Sequence, residues 1–556
     1  MRLESRNQIW LFLFVCTSLF FFWNLQYHDV VDVNEGMRLV PAIEMLESGD
    51  WVVPRIQGDP YIKKPPFTYW TILAHFLIFP GHHEVVGRVP FALSGILCVL
   101  GLAWIGSRKE DGEIEGITPG LLAGMFLATT YYFLHKAQKA NIDVPMVLFM
   151  AGGVYFFGQA VRREWRRMFA PLLVASVCFG IAAFFKGPVY LPYVLACLIT
   201  AIIQDRRKWL RYLPAALACL LAPLVIVLPW ALRLIDALGW ETVWGVFNHE
   251  AIELRLNEAT EINSGPIWHY LLHAPGASMP WSLLLLAWLH PGFRAYAAEK
   301  SRWLLRYSAI FSLVSLVIFS LMPGKEVEYL LTIFPFIMLN AGHAFFWLWG
   351  GKREQGQMAK GLVYYLAAIA GLGCLTPAAM LYTEFGQWIL LSHSALVVFL
   401  AGMVVSAVAV VSLLRHGLHG VSICLAILSL SLTIAGYRDT IKPREKAMRS
   451  AALVAEFVRP LHDRGVPVYR YRGYKVKHAH MIWHLRDVSE PLRSNVEDAD
   501  DVLRGHDYAL VVLRKKYLDD CRRDFEGMFS IREIMADPEM VPDEGYEYTV
   551  VVLQKK

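Results

Sequence analysis

Charged residues are scarce in this sequence of 556 amino acids. Asp, Glu, Lys and Arg together make up 18%, whereas hydrophobic residues make up 56%. An ordinary soluble protein has about 25% charged residues, so the shortage indicates a membrane protein with many spans. The formal net charge of +5 is small for this length and gives no support to nucleic-acid binding.

Cysteines are few and are not placed for a disulfide framework. Of the eight, only Cys521 lies in a polar region, and the others lie in apolar segments. Neither a disulfide pattern nor a cysteine-based metal site is readable from this spacing. The first apolar run follows Arg2 and Arg6 and lacks a small-residue cleavage site, so we expect a retained first span rather than a signal peptide.

Long apolar runs, in contrast, are plentiful. A helix that crosses about 30 Å of hydrocarbon needs about 20 apolar residues, and this template predicts about 13 spans. The predicted spans are 8–27, 87–106, 118–135, 144–161, 168–185, 188–203, 212–233, 267–289, 303–321, 328–349, 360–382, 390–413 and 418–436. The apolar stretch 67–79 is too short for this template, and we expect it to lie in the membrane interface.

Basic residues alternate between the connections of these spans. If the N-terminus is cytoplasmic, every even-numbered connection is basic, as the positive-inside rule requires. This orientation places residues 28–86, residues 234–266 and everything after 437 on the outer face. The sequence therefore predicts a mainly α, polytopic membrane protein with amphipathic helices on its outer face, formed by residues 1–437.

Residues 438–556 have a different character. Apolar positions recur at helical spacing over 443–463, while "VPVYRY", "YALVVL" and "EYTVVVL" are typical of short strands between polar turns. We expect a small soluble α/β domain outside the membrane.

Acidic residues cluster where the first span ends. Asp32 and Glu35 could act as a general base or orient an acceptor, and the alternative is a solvated helix cap. Asp143, in "NIDVP", precedes the fourth predicted span at its outer end. It would share an interface with Asp32 and Glu35, unless it only caps the helix that begins at Val144.

Cations also occur at outer span ends, where the positive-inside rule does not favour them. Lys186, in "FFKGPV", either extends to the surface or is held there by an anion. Lys325 and Tyr329 are four residues apart in "GKEVEYLL". His269 and His273 have a spacing that suits a metal, although two histidines at a span mouth are more often structural.

These outer-face cations together form a candidate anion site bordered by apolar walls. Its members are Lys63, Lys64, Lys186, Lys325, Arg38 and Arg255. Such a cluster suits a phosphate or diphosphate, and the aromatic run after "KKPP" suits an amphiphile that lies half in the bilayer. We therefore expect "KKPP" to hold cations at headgroup height, close to a lipid-borne phosphate.

Several blocks carry a family resemblance, in a fixed order over about the first 345 residues. They are "NEGMRLVPAIEMLESGDWVVPRIQGDPYIKKPPFTYW", "NIDVP", "FFKGPV", "SGPIWHYLL" with "PWSLLL", and "GKEVEYLLTIFP". In these blocks the sequence resembles the C-type membrane glycosyltransferases of the protein O-mannosyltransferase and lipid A aminoarabinose transferase group. The resemblance implies inverting transfer of a sugar from a polyprenyl-phosphate donor to a lipid, glycan or protein acceptor, outside a bacterial-type inner membrane.

The resemblance also implies roles for the matched positions. Lys64 and Tyr329 would contact the donor phosphate. Further candidates for that contact are Lys63, Lys186, Arg255 and Lys325. The catalytic candidates are Asp32, Asn34, Glu35 and Asp143, and the candidates for acceptor contact or loop structure are Arg38, His249 and Glu250.

Three positions depart from the family pattern. Asn34 stands where the group has an aspartate, and an amide cannot act as a base. Lys63 replaces a glutamate, and Ala251 replaces the histidine expected after Glu250, which argues against a family-like divalent metal site. Asp32 could take over the acidic role, the acceptor could need no base, or transferase activity could be lost.

Two other function classes can be weighed against an enzyme. A non-catalytic binder or accessory protein for lipid-linked sugars is suggested by Asn34. A secondary transporter is disfavoured, because the sequence has no duplicated halves and its unusual charges lie at span ends rather than mid-span.

Overall fold

The structure is a computed structural model that describes most of the chain. The described residues are 6–23, 25, 30, 33–79, 81, 84–107, 118–250, 265–299, 302–349, 356–381, 393–416, 425–426, 428–434, 451–471, 479–492, 499–514, 517–525, 527–534 and 548–555. Two predicted site residues, Asp32 and Arg255, lie outside this set.

Helices make up most of the chain up to residue 416. The α-helices are α1 (Arg6–Phe22), α2 (Val33–Ser48), α3 (Phe67–Ile78), α4 (Glu84–Gly106), α5 (Pro119–Ala128), α6 (Tyr131–Ala137), α7 (Asp143–Arg162), α8 (Trp165–Lys186), α9 (Leu191–Gln204), α10 (Trp209–Leu238), α11 (Trp240–Asn248), α12 (His269–Ala277), α13 (Pro291–Ala298), α14 (Trp303–Leu321), α15 (Phe334–Trp349), α16 (Gly356–Leu381) and α17 (His393–His416). Short 3-10 helices occur at Gly187–Tyr190, Arg206–Lys208, Trp281–Leu289 and Val327–Thr332. The predicted mainly helical class is confirmed.

Within the described ranges, six segments are long and apolar enough to cross a membrane. They are Glu84–Gly106, Asp143–Arg162, Trp165–Gln204, Arg206–Leu238, Trp303–Leu321 and Leu396–His416. Four shorter apolar helices occur at Leu13–Phe22, Phe67–Ile78, Pro119–Ala128 and Lys360–Leu372. The chain is thus an integral membrane protein, and the finer count of about 13 spans stays a prediction.

One of these segments is a helical pair rather than one span. Trp165–Gln204 has 40 residues, which as a straight helix would be about 60 Å long, twice the thickness of the hydrocarbon layer. The 3-10 turn Gly187–Tyr190 separates α8 from α9. Gly187 has a φ of 72°, a conformation that a residue with a Cβ rarely adopts.

Two predicted spans are interrupted, and the interruptions meet. The predicted span 118–135 divides into α5 and α6 at Thr129, whose hydroxyl donates to the Met125 carbonyl and so competes with helix continuation. The predicted span 267–289 becomes α12 and a 3-10 helix, separated at Pro280, which has no N–H to donate. Trp281, directly after this break, donates its Nε1–H to Thr129 Oγ1 at 2.9 Å.

A tight hairpin lies directly before "KKPP" in the chain. The strands β1 (Arg55–Ile56) and β2 (Asp59–Pro60) are antiparallel and are joined by Gln57 and Gly58, both with positive φ, as a two-residue hairpin turn requires. Glu44 of α2 accepts the backbone N–H groups of Gln57 at 2.5 Å and Gly58 at 3.2 Å. The hairpin is thereby fixed to α2 just before residues 63 and 64.

The C-terminal part contains a five-stranded sheet and short helices. Its elements are α18 (Ala451–His462), β3 (Val468–Tyr471), α19 (Ala479–Leu485), β4 (Glu490–Leu492), α20 (Ala499–Leu503), β5 (Tyr508–Arg514), α21 (Leu518–Phe525), β6 (Phe529–Glu533) and β7 (Tyr548–Lys555). The strand order is β4-β3-β5-β7-β6; β3 is parallel to β4 and β5, while β7 is antiparallel to β5 and β6. The three strands expected from the sequence correspond to β3, β5 and β7.

Helix α19 packs the C-terminal part against α2 and α3. Trp483 is 3% exposed and stacks on Phe76 of α3, with 6.4 Å between ring centroids. The His484 ring lies 3.2 Å from the Val30 carbonyl oxygen. The C-terminal part is therefore in direct contact with the segments that carry the candidate site.

Candidate functional site

The buried ion pair of Glu35 and Arg88 fixes α2 to α4. Arg88 Nε and Nη2 donate to the two carboxylate oxygens of Glu35 at 2.7 and 3.0 Å, and Arg88 Nη1 donates to the Leu25 carbonyl at 2.9 Å. The backbone N–H of Ala140 also donates to Glu35 at 3.0 Å. The two side chains are 2% and 0% exposed, so Glu35 is held by its partners on all sides. Sequence reasoning gave Arg88 no role.

Asp143 and Lys186 form a second buried ion pair, where α7 begins and α8 ends. Lys186 Nζ lies 2.5 Å from Asp143 Oδ1, and both side chains are at most 6% exposed. Asp143 is the first residue of α7 and Lys186 is the last residue of α8. Each therefore lies at the helix end whose dipole favours its charge. Lys186 is thus held by an anion of the protein itself.

The 3-10 helix Val327–Thr332 and the residue before it complete this cluster. Glu326 lies 3.8 Å from Lys186 Nζ, and the ring centroid of Tyr329 lies 5.6 Å from the same nitrogen. Glu328 pairs with Lys136 at 2.8 Å, another residue that sequence reasoning missed. Acidic groups outnumber cations here, so an incoming anion needs further positive charge from elsewhere.

The lysines of "KKPP" are joined by the structure to the segment that follows α11. Glu250 lies 3.0 Å from Lys63 Nζ and 3.2 Å from Lys64 Nζ. Burial alone would raise the pKa of Glu250, but Lys64 and Lys63 more than offset it and hold the pKa below its ordinary value. His249, beside Glu250, is exposed.

Aromatic rings connect these lysines to the buried pair. Phe67, three residues after Lys64, stacks on Phe184 with 5.4 Å between centroids and meets Phe185 edge-on at 4.8 Å. Phe185 directly precedes Lys186, so the "KKPP" stretch borders the end of α8. Aromatic rings therefore form an apolar surface beside Lys186, and the anion site itself stays a prediction.

Arg38 is a buried cation on α2 with unused hydrogen-bonding capacity. It is 7% exposed, and its Nη1 has no hydrogen-bond partner. Burial alone would lower the pKa of Arg38, but Tyr61, Tyr69 and Asp143 more than offset it, so the guanidinium stays charged. Tyr69, which is fully buried, likewise has a hydroxyl without a partner.

Lys325 and Asn34 have different surroundings from these cations. Lys325 Nζ donates to the carbonyls of Phe319 at 3.2 Å, Ser320 at 2.7 Å and Met322, which caps the C-terminus of α14. Burial lowers the pKa of Lys325. Asn34 is exposed at the start of α2. Phosphate binding by Lys325 stays a prediction, since its observed contacts are those of a helix cap.

Among the described residues, those around Lys63 and Glu250 do not fit a divalent metal. The Lys63 ammonium lies against Glu250, and a protonated amine is not a metal ligand. Within the described residues, no three His, Cys, Asp or Glu side chains lie close enough together to hold a metal ion. His269 and His273 stack on each other with 4.2 Å between centroids.

Comparison with known proteins finds the same group that the sequence resembles. A family model described as dolichyl-phosphate-mannose-protein mannosyltransferase matches residues 63–232. Undecaprenyl phosphate-alpha-4-amino-4-deoxy-L-arabinose arabinosyl transferase from Edwardsiella ictaluri is 25% identical over 341 residues. That match covers 60% of this chain and 58% of the relative, so it spans less than two thirds of the relative's length.

Solved structures share the fold along nearly the whole chain. ArnT from Cupriavidus metallidurans in the apo state has a TM-score of 0.70 at 20% identity, covering 99% of this chain and 98% of that one. The same protein bound to undecaprenyl phosphate has a TM-score of 0.67 at 20% identity, covering 98% of each chain. The predicted resemblance to the C-type glycosyltransferase group is confirmed.

Proposed function

We propose that the protein transfers a sugar from a polyprenyl-phosphate donor to a lipid, glycan or protein acceptor. One observation supports this proposal: Arg38 interacts electrostatically with Asp143, which pairs with Lys186, and Phe67, three residues after Lys64, stacks on Phe184 near the same lysine, so cations and aromatic rings that suit a polyprenyl phosphate lie close together. The bound undecaprenyl phosphate in a structure of the same fold agrees with this donor class.

In this reaction the acceptor hydroxyl attacks the anomeric carbon from the side opposite the phosphate. A new carbon–oxygen bond forms as the bond from the anomeric carbon to the phosphate oxygen breaks. The electron pair of the broken bond leaves with the polyprenyl phosphate, and the hydroxyl proton passes to a carboxylate. Configuration at the anomeric carbon is inverted. Lys64 and Arg38 stabilise the negative charge that develops on the leaving phosphate.

Asp143 is our candidate for the carboxylate that orients the acceptor or takes its proton. Lys186 holds its Oδ1, and the backbone N–H of Asp143 is held by Asn141 Oδ1 at 2.7 Å, so the carboxylate has a fixed position. Asp32 is the alternative base. We assign Glu35 a positioning role, because its oxygens hold Arg88 and the Ala140 N–H. Asn34 can orient a hydroxyl but cannot take its proton.

The remaining predicted residues receive supporting roles. Lys63 shares Glu250 with Lys64 and so sets the position of Lys64. Arg255, which lies outside the described residues, stays a candidate for contact with the donor phosphate, and Tyr329 places its ring beneath Lys186. His249, exposed and next to Glu250, stays a candidate for contact with the acceptor. We infer that this end of the bundle faces outward from the inner membrane, with the N-terminus cytoplasmic and residues 438–556 outside.

A transfer assay tests the proposed function. Purified protein in nanodiscs receives polyprenyl-phosphate pentoses and hexoses with lipid, glycan and peptide acceptors, and products are identified by mass spectrometry. We expect one donor class to give product, and Lys64→Ala and Asp143→Asn to abolish it; because Asp143→Asn leaves Lys186 without its carboxylate, its activity is compared per amount of folded protein. Wild-type turnover in both variants would show that these residues are not the site.

A non-catalytic binder of lipid-linked sugars is the second candidate. It is favoured by one observation: the Glu35 carboxylate is held in an ion pair with Arg88, and the neighbouring Asn34 is an exposed amide, which cannot act as a base. A binder would retain donor lipid and give no product with any acceptor. Asn34→Asp separates the two candidates further, since it leaves a binder inactive and restores turnover only in a site that has lost its base.

A further inference from the structure

Arg470 is a buried cation in the C-terminal part. It lies on β3, where all four residues are buried, and it is only 4% exposed. Its Nε and Nη1 have no hydrogen-bond partner among the described residues. A buried N–H group without a partner is costly, so an apolar side chain would stabilise the fold better at this position. Packing of the sheet therefore does not explain an arginine here.

Two carboxylates among the described residues interact electrostatically with Arg470. They are Glu44 of α2 and Glu490 of β4. Glu490 also forms a two-point ion pair with Arg504, with hydrogen bonds of 3.1 and 2.6 Å. Glu44 lies outside the C-terminal part, on the helix against which α19 packs. Through Arg470 the C-terminal part thus acts on the charge of a residue in α2.

Glu44 in turn holds the hairpin that precedes "KKPP". Its two carboxylate oxygens accept the backbone N–H groups of Gln57 at 2.5 Å and Gly58 at 3.2 Å. The Gln57 side chain does not add to this attachment, because its Nε2 and Oε1 have no hydrogen-bond partner. Lys63 and Lys64 follow the hairpin after two residues. The position of the turn therefore bears on the position of both lysines.

The charges on Glu44 and Arg470 are kept against the effect of burial. Burial raises the pKa of Glu44, and Glu47 adds to this, whereas the N–H groups of the turn and Arg470 lower it without reversing it. Burial lowers the pKa of Arg470 to about 10, although Glu44 and Glu490 favour its charge. Both shifts disfavour the charged form, so these charges cost the folded state stability. Charges retained at such a cost are typical of functional sites.

We propose that Arg470 is a positioning residue, which sets the "KKPP" lysines through Glu44 and the hairpin turn. Its positive charge favours the carboxylate form of Glu44, which accepts the two N–H groups more strongly than the protonated form does. The fixed turn then defines where Lys63 and Lys64 begin. The C-terminal part is in this way a component of the donor site. The role of the lysines rests on the proposed function, but the coupling of Arg470 to the turn does not.

Hydrogen exchange of the hairpin tests this coupling in the full-length protein. Peptides covering residues 55–60 are followed from about pH 4 to 8, with rates corrected for the intrinsic effect of pH. Wild-type protection should fall at low pH as Glu44 becomes protonated. Arg470→Met should move this transition upward by about half a pH unit or more, and Arg470→Lys, which keeps the charge, should largely restore it. The control Arg523→Met, an exposed arginine of α21, should leave the transition unchanged.

Two further measurements separate positioning from a merely structural role. Arg470→Met should leave the melting temperature at pH 7 unchanged or raise it, since a buried cation with unpaired N–H groups is removed. Glu44→Gln should abolish the pH transition of the hairpin, and adding Arg470→Met to it should have no further effect. A lower melting temperature with an unshifted transition would make Arg470 structural only and would overturn the proposal.

The wild type and Glu44→Gln decide the matter even if Arg470→Met does not fold. No pH transition in the wild-type hairpin, or the same transition in Glu44→Gln, would overturn the proposal. Affinity for undecaprenyl phosphate at pH 6, measured by native mass spectrometry, should fall about threefold or more in Arg470→Met and not in Arg470→Lys. Unchanged affinity in folded Arg470→Met would show that the lysines are not positioned in this way. Absence of binding by the wild type would instead contradict the proposed function, and the hairpin data would still decide the coupling.

Discussion

Asp143 and Lys186 form a buried ion pair with 2.5 Å between Oδ1 and Nζ, at the end of the bundle where α7 begins and α8 ends. Because both charges are buried, each one compensates the cost of removing the other from water. Removing one partner of such a pair costs on the order of 3–5 kcal/mol, since the remaining charge is left uncompensated. The pair therefore connects the stability of the bundle to the chemistry of the site.

The first prediction separates these two roles. Lys186→Met should lower the melting temperature strongly and abolish transfer, because Asp143 is left as an unpaired buried charge. The double variant Lys186→Met/Asp143→Leu should recover most of the melting temperature but none of the transfer. Thermal unfolding and the transfer assay measure both effects. Full activity in the double variant would exclude both residues from the site.

The second prediction concerns Glu35 and Arg88. Glu35→Gln should lower the melting temperature markedly, because Arg88 would lose its bidentate carboxylate in a site from which water is excluded. Arg88→Met should have a similar effect. The control Glu47→Gln, a substitution of an exposed residue on the same helix, should have little effect. If Glu35→Gln left the melting temperature unchanged and abolished transfer, Glu35 would be catalytic rather than positioning.

The third prediction concerns pH. The pKa of Glu250 is lowered, so its attraction to Lys63 and Lys64 is fully present above the ordinary glutamate value of 4.5 and is lost as pH falls through the lowered value. The contribution is on the order of 1 kcal/mol or less, because Lys63 is 47% exposed and screened by solvent. Wild-type melting temperature should therefore be level from pH 7 to 5 and fall below that range.

Glu250→Gln is the matched variant for this titration. Its melting temperature should lie slightly below that of the wild type at pH 7 and should converge with it at the lowest pH. Melting curves between pH 3.5 and 7, recorded for both proteins in the same detergent, measure the difference. A difference that stayed constant over the whole range would show that Glu250 does not act through its charge.

The fourth prediction concerns Arg38. Arg38→Met keeps much of the side-chain volume but removes a charge that Tyr61, Tyr69 and Asp143 favour, so the melting temperature should fall. Affinity for undecaprenyl phosphate should fall about tenfold or more, equivalent to about 1.4 kcal/mol. Native mass spectrometry of the complex measures this. Tyr61→Phe, which removes one group that favours the charge of Arg38 but keeps the guanidinium itself, should lower the affinity less than Arg38→Met does.

The fifth prediction concerns the contact between the C-terminal part and α3. Trp483→Ala should expose Phe76 and weaken this attachment, since the two rings stack and both are at most 3% exposed. Hydrogen exchange should then increase in α2 and α3 as well as in α19. Leu503→Ala, which removes a buried side chain from the sheet region, is the matched control and should affect the C-terminal part alone. Equal exchange in α2 and α3 for both variants would contradict the contact.

Long patterns in the sequence predict the helical architecture well. The predicted span 303–321 coincides with α14, because an apolar run of nineteen residues begins and ends at the same positions and no other sequence pattern there predicts a different boundary. The spans that were wrong in detail contain Thr129 and Pro280, where a side chain or a missing N–H breaks the backbone pattern. These breaks have local causes, but the contact between them, in which Trp281 donates to Thr129, joins residues 152 positions apart and is not indicated by any local pattern.

The candidate site, too, could be predicted from the sequence only in part. The sequence allows two interpretations of Lys186, one of which is that an anion holds it. In the structure this anion is the carboxylate of Asp143, 43 residues away. The sequence could not identify Arg88 and Lys136 as members of ion pairs, since the residues around a single arginine or lysine near a span end do not indicate its partner. Their partners, Glu35 and Glu328, are 53 and 192 residues distant, and only the fold brings them together.

Mass spectrometry of co-purifying lipids tests the central claim most directly. Wild-type protein, Lys64→Ala and the control Lys208→Ala, an exposed lysine paired with Asp205, are purified identically and their lipids extracted. We expect a polyprenyl phosphate, with or without its sugar, from the wild type and the control, and its loss from Lys64→Ala. Absence of polyprenyl phosphate from all three, or equal amounts in all three, would contradict the assignment of Lys64 to the donor phosphate.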